Sequence, residues 1–114
     1  MKLEYEELEN GIRLLKLIGA LDLSGRYSIE IEFVRQCAGE NVSVLVDLSE
    51  VDYISSMGVH MLITSANSIA SRGGKMALLN PQPTVLNVLD LTGILQIIPI
   101  YSDLESAKIG MSTG

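Results

Sequence analysis

Residues 44–59 read Val44-Leu45-Val46-Asp47-Leu48-Ser49-Glu50-Val51-Asp52-Tyr53-Ile54-Ser55-Ser56-Met57-Gly58-Val59, and the change of pattern inside this stretch decides the fold class. Val42–Asp47 is dense in β-branched residues and too short for a helix, so it reads as a strand buried on both faces. Past Ser55-Ser56 the period lengthens to 3.6 residues. Val59, Leu62, Ile63, Ala66, Ile69 and Ala70 then hold one helical stripe, stopped by Gly73-Gly74. A buried strand running through a short polar stretch into an amphipathic helix is half of a parallel crossover unit.

The flanking sequence repeats that alternation. Upstream, Leu3–Leu8 alternates roughly apolar and acidic, as an edge strand with one wet face does. Glu9-Asn10-Gly11 supplies a turn and Ile12–Ile18 a second strand, so the pair predicts a hairpin. Gly19 to Asp22 leads into the polar stretch Leu23-Ser24-Gly25-Arg26. A first helix is expected over Tyr27–Ala38, with Tyr27, Ile31, Val34 and Ala38 as its stripe and Gly39 at its C-terminal end. Downstream, Lys75–Leu79 is a short strand and Asn80-Pro81-Gln82-Pro83 a forced turn. Thr84–Leu91 is a short helix closed by Gly93, and its apolar surplus reads either as unusual burial, the preferred reading, or as a surface that meets a partner. Gln96–Tyr101 is a last strand, Leu104–Ile109 a last helical turn or two after an Asp103 cap, and 111–114 a fraying end. The expected fold is α/β: a small, mostly parallel sheet with an N-terminal hairpin, packed by about four helices in one domain spanning 1–114.

Composition narrows the function classes. The chain has 114 residues, 47% of them hydrophobic, which is enough for a core and argues against disorder. Fourteen acidic residues against 8 basic ones give a formal charge of -6, which suits neither nucleic acid nor an anionic membrane surface. One cysteine, Cys37, allows no internal disulfide and no Cys-based metal cluster. The opening Met-Lys-Leu-Glu-Tyr-Glu-Glu is acidic where a secretory signal needs an apolar stretch, and no apolar run approaches the ~20 residues of a membrane span. A soluble cytoplasmic protein is expected.

Two readings of Ser55-Ser56 stand side by side on the residues alone. Either serine can serve merely as an N-cap, contributing roughly 1 kcal/mol. Alternatively, a hydroxyl at the positive end of a helix is a natural place for an anion, a phosphate included. Gly58 would leave the approach to that hydroxyl open to another protein's backbone. Ser56 and His60 are four apart on one helix, but a hydrolase lacks its parts: His60 is the only histidine and there is no Gly-x-Ser-x-Gly elbow. His60 is expected to face solvent or a partner. Asp22, Asp47 and Asp52 could gather near Ser56 around a metal, though acids at strand ends are more often caps and turn formers. Gly73-Gly74-Lys75 lies at a helix C-terminus, where the dipole is wrong for phosphate. Cys37 and the methionines read as packing.

The segment and the chain around it resemble the STAS-domain anti-sigma factor antagonists of bacterial partner-switching systems. The resemblance rests on a strand ending in Asp47-Leu48, a loop, and the turn Ser55-Ser56-Met57-Gly58-Val59 that opens a helix. Gly19-Ala20-Leu21-Asp22 resembles the family's Gly-x-Leu-Asp loop, and the element order agrees over nearly the whole chain. Two departures stand out: Ser55 replaces a common Asp, and Met57 a small Ser or Ala. By this register Ser56, with Ser55 as the neighbouring alternative, occupies the phosphorylated position. The resemblance implies a partner surface of Asp22, Ser55, Ser56, Met57, Gly58 and His60. The unphosphorylated form would bind an anti-sigma factor with serine kinase activity and free a sigma factor. Phosphorylation would break that complex and a PP2C-type phosphatase would restore it. The resemblance implies no catalysis, cofactor or metal in this chain, since ATP and Mg²⁺ belong to the kinase. A constitutive STAS subunit of a transporter or sensory assembly is the alternative within the fold.

Overall fold

The computed structural model describes residues 1–112. Five strands form one sheet in the order β1-β2-β3-β4-β5, with β1 (Lys2–Glu7) antiparallel to β2 (Ile12–Leu21). Between them Asn10 and Gly11 take φ of 70° and 76°, the left-handed conformation that Asn-Gly reaches at low cost. The pairings of β2 with β3 (Ser43–Ile54), β3 with β4 (Lys75–Leu79) and β4 with β5 (Ile100–Tyr101) are all parallel. Parallel neighbours need crossovers, supplied by α1 (Leu23–Cys37), α2 (Ser56–Ser71) and α3 (Pro83–Thr92), with α4 (Leu104–Ser112) closing the chain. The mixed, mostly parallel sheet and four helices match the expected class.

Alternation along the central strands divides the core. Val44, Val46, Met76 and Leu78 join the apolar faces of α1, α2 and α3, whereas Leu45, Ala77 and Leu79 meet Ala107 and Met111 of α4. Burial on both faces thus explains the unbroken apolar run of β3.

Several expected boundaries change, and β2 runs on to Leu21 where Ile18 was expected to end it. β3 continues through Leu48, Val51 and Ile54 to the end of β2, because register shifts between Lys16 and Ile18 and between Gly19 and Ala20 keep the pair in step. Residues 49–53, which read as a loop, are the outer part of this bulged strand, with Val51 buried among more polar neighbours. β5 shrinks to two residues, since Ile94–Gln96 forms a 3₁₀ turn and Pro99 lacks a ladder N–H. At the end of the chain Met111 is buried in α4, contrary to the fraying expected there; 113 and 114 lie outside the described residues.

The largest correction concerns α1. It starts at Leu23, capped by Asp22, and buries Gly25, Ile29, Phe33 and Cys37. The expected stripe of Tyr27, Ile31 and Val34 points outward instead. The reason is geometric: Gly25 is pressed against the Ala20 carbonyl, and Ile29, Phe33 and Cys37 follow it at four-residue intervals, so that Phe33, the bulkiest fully buried side chain, faces the sheet. The expected burial of α3 also fails in part, because Leu86 and Leu91 are exposed while Val85 and Leu89 are buried.

This reversal is testable on one helix. Phe33→Ala should cost about 3–5 kcal/mol through lost burial and a cavity. Ile31→Ala, two residues away, should stay within about 0.5 kcal/mol of the parent. Urea unfolding of the two variants checks it, and equal losses would return Ile31 to the core.

Candidate functional site

The site is built where two parallel strands end together. Leu21 of β2 pairs with Ile54 of β3, so the next residues, Asp22 and Ser55, emerge side by side as the N-caps of α1 and α2. Asp22 Oδ1 accepts a hydrogen bond from Gly25 N at 2.8 Å, an ordinary side-chain cap. Ser55 donates its backbone N–H to Leu21 O at 3.0 Å, and its hydroxyl lies 3.5 Å from the same oxygen. Ser55 makes no side-chain cap bond to α2, so its hydroxyl does not satisfy the unpaired N–H groups at the start of that helix.

Ser55 is therefore half-buried and tied inward, while Ser56, Met57 and His60 are exposed along the first turns of α2. Gly58 is different. It is buried, and a Cβ there would collide with the Leu21 carbonyl oxygen and crowd the Leu21 side chain. Its missing side chain makes room inside the molecule, not for an incoming backbone. Gly25 holds the same position in α1, against the Ala20 carbonyl.

Sequence reasoning missed Arg26. Its Nη1 donates to Met57 O at 3.2 Å and meets His60 Nδ1 at 3.2 Å, while Nε pairs with Glu30 Oε2 at 2.9 Å. An arginine has no acceptor, so the contact is made with His60 Nδ1 accepting. That nitrogen is thus engaged by a guanidinium on α1. The Arg26–Glu30 spacing of four was visible in the sequence, but the reach across to α2 depends on α1 starting at Leu23.

The remaining candidates do not join this cluster. Asp47 lies within β3 and its Oδ1 accepts from Ser49 N at 2.9 Å, a local bond at the bulge. Asp52 is exposed on the same strand, and among the described residues no three His, Cys, Asp or Glu side chains could hold a metal ion. Burial pushes the Cys37 thiol up to about 11, so it stays protonated at neutral pH and packs as a small apolar residue. Gly73, at φ 81°, ends α2 as expected. Asp103 accepts from Ser106 N at 2.8 Å, the expected cap of α4, and that bond holds its carboxyl below the usual range. Among the described residues no helix is long and apolar enough to cross a membrane.

Comparison with known proteins bears on this geometry. A family model described as the STAS domain matches residues 6–107. The anti-sigma F factor antagonist of Paenibacillus polymyxa is 27% identical over 113 residues, covering 94% of this chain and 93% of its own. An anti-sigma-factor antagonist (STAS) domain protein from Planctomyces limnophilus has a similar structure, with a TM-score of 0.86 at 21% identity over 96% of this chain and 97% of that one. The Bacillus cell fate determinant SpoIIAA, solved in its phosphorylated form, gives a TM-score of 0.67 at 19% identity over 94% and 97% of the two chains. At such identities the structural likeness speaks for the fold.

Two substitutions separate the roles of neighbouring residues. Gly58→Ala should cost roughly 1–3 kcal/mol by overpacking against Leu21. Ser56→Asp should unfold within ~1 kcal/mol of the parent, because its side chain is in water at the positive end of α2. Chemical denaturation distinguishes them; a loss of several kcal/mol for Ser56→Asp would mean the hydroxyl is not free.

Proposed function

The chain belongs to the STAS-domain family, and from that premise we propose that it is an anti-sigma factor antagonist of a partner-switching pathway. Its unmodified form binds an anti-sigma factor with serine kinase activity and so releases a sigma factor. The kinase phosphorylates Ser56, which abolishes binding, and a PP2C-type phosphatase reverses the change. The chain itself performs no catalysis.

The single observation that carries this reading is the exposed Ser56 hydroxyl on the first turn of α2, beside a Ser55 bound to Leu21 O. That contrast favours Ser56 over Ser55 as the modified residue. The names of the relatives point the same way, as does the Ser55-to-Val59 turn. The rest of the implied contact surface divides by accessibility. Met57 and His60 are available to a partner, Asp22 and Ser55 are half-buried caps at its edge, and Gly58 shapes it from beneath. His60 suits a contact residue better than a general base, since Nδ1 is engaged by Arg26.

Phosphate adds about −1.5 to −2 charges and considerable bulk at a surface that must otherwise pack closely. A charge poorly paired in an interface costs about 2–5 kcal/mol. Within the free chain the same group sits in water at a helix N-terminus, where it is tolerated. The fold survives and the complex does not.

Incubation with the cognate kinase and ATP should modify Ser56, and Ser56→Ala should block it; phosphate on Ser55 would shift the register by one. In surface plasmon resonance Ser56→Ala should still bind the kinase. Ser56→Asp should bind between about tenfold and several thousandfold more weakly, mainly through faster dissociation. Undiminished binding by Ser56→Asp would leave a constitutive subunit as the better reading.

A further inference from the structure

The outward face of α1 carries Leu23, Tyr27, Ile31 and Val34, exposed to 52, 79, 78 and 54%. These residues recur every three or four positions and form one apolar stripe over three turns. Soluble proteins seldom leave such a contiguous patch in water unless something covers it. The charges of the same helix are matched: Arg26 pairs with Glu30 and Arg35 with Glu32, each at 2.9 Å. The stripe is therefore apolar and locally neutral on a chain of charge -6.

The stripe is also continuous with the Ser56 turn. A hollow of about 290 Å³ between α1 and α2 is lined by Leu23, Arg26, Tyr27, Glu30, Met57 and His60. Met57, exposed to 41%, follows Ser56 directly and forms the far side of this hollow. Anything seated on Ser56 meets the hollow and, beyond it, the stripe.

Size decides the occupant. From Leu23 to Val34 the helix rises about 17 Å and is about 10 Å wide. Two copies face to face would bury roughly a few hundred Å², far below the ~1,200 Å² of a stable interface, and each copy is strongly acidic. The Ser56 turn alone is likewise too small for a specific complex, which needs about 800 Å² per partner. Joined through the hollow, the two patches offer one partner more surface than either does alone.

We infer that the docking surface for the protein that engages Ser56 extends along α1, with Tyr27 and Ile31 seated in an apolar groove of that partner. The inference rests on the proposed partner-switching function and adds to it a second anchoring surface, joined to the site of modification by the hollow between α1 and α2. In this arrangement Ser56 reports the phosphorylation state, and the stripe supplies much of the affinity.

The test uses the full chain and the purified anti-sigma factor kinase. Tyr27→Glu and Ile31→Glu are solvent-exposed changes and should unfold like the parent. Each should weaken kinase binding by about tenfold or more, as loss of an interface anchor does. Leu91→Glu, an exposed apolar position on α3, should bind as the parent does. Sedimentation should show the parent as a monomer. Parent-like binding by both α1 variants would overturn the stripe while leaving the Ser56 switch intact. A parent dimer dissociated by Ile31→Glu would assign the stripe to a second copy. A parent that neither binds nor is phosphorylated by the kinase would remove the partner reading, and the stripe with it.

Discussion

The carbonyl oxygen of Leu21 is the point on which the site depends. It accepts the Ser55 backbone N–H at 3.0 Å, and the first turn of α2 rests so closely upon it that position 58 has no room for a Cβ. One strand end therefore fixes where the next helix begins, how far it stands from β2, and which way its first residues point. With Ser55 held inward and Gly58 pressed on Leu21, residues 56 and 57 are left facing out. α1 begins in the same manner, with Asp22 as cap and Gly25 against Ala20 O. Asp22-Leu23-Ser24-Gly25 and Ser55-Ser56-Met57-Gly58 are thus one local device used twice, at adjacent ends of a parallel pair.

That repeat explains which parts of the fold were legible in the sequence. Strand and helix order followed from the shift between a continuous apolar run in β3 and a 3.6-residue period in α2, because each pattern reflects one burial environment. The start of α1 did not follow, because Leu23-Ser24-Gly25 has the composition of a loop. Glycine near a helix start ordinarily argues against helix, and only the proximity of Ala20 O explains its presence. From a start at Tyr27, the residues Tyr27, Ile31 and Val34 make an apolar stripe as regular as that of Ile29, Phe33 and Cys37. Two apolar faces competed on one helix, and periodicity by itself cannot say which meets the sheet. The outer half of β3 was hidden for another reason: its bulges interrupt the alternation that marks a strand.

The site was legible as a segment and not as a surface. The Ser55-to-Val59 turn is contiguous, so its place at a helix start could be read directly. Arg26 belongs to a different element, 31 residues before Met57, and its contact appears only when α1 and α2 lie side by side. The role of Gly58 was equally hidden, since a glycine that admits a visitor and one that admits a neighbouring strand look identical in one dimension. The structure distinguishes them by a single carbonyl.

The surroundings of Ser56 also constrain how a phosphate there could act. The chain carries -6 already, so a further charge of about −2 changes its distant field modestly. Beyond roughly 8–10 Å salt screens even that change. A switch of this kind must therefore operate at contact distance, through desolvation and close packing. It gains most where the contact surface is apolar and locally neutral, because an unmodified hydroxyl is easily accommodated there and a dianion is not. Met57, the outward face of α1 and the matched pairs Arg26–Glu30 and Arg35–Glu32 provide such surroundings. On the proposed switch, the ion pairs within α1 would have a role apart from stability, to which exposed pairs add little: each charge on that face is neutralised by its neighbour, so that a single added charge on Ser56 would stand uncompensated.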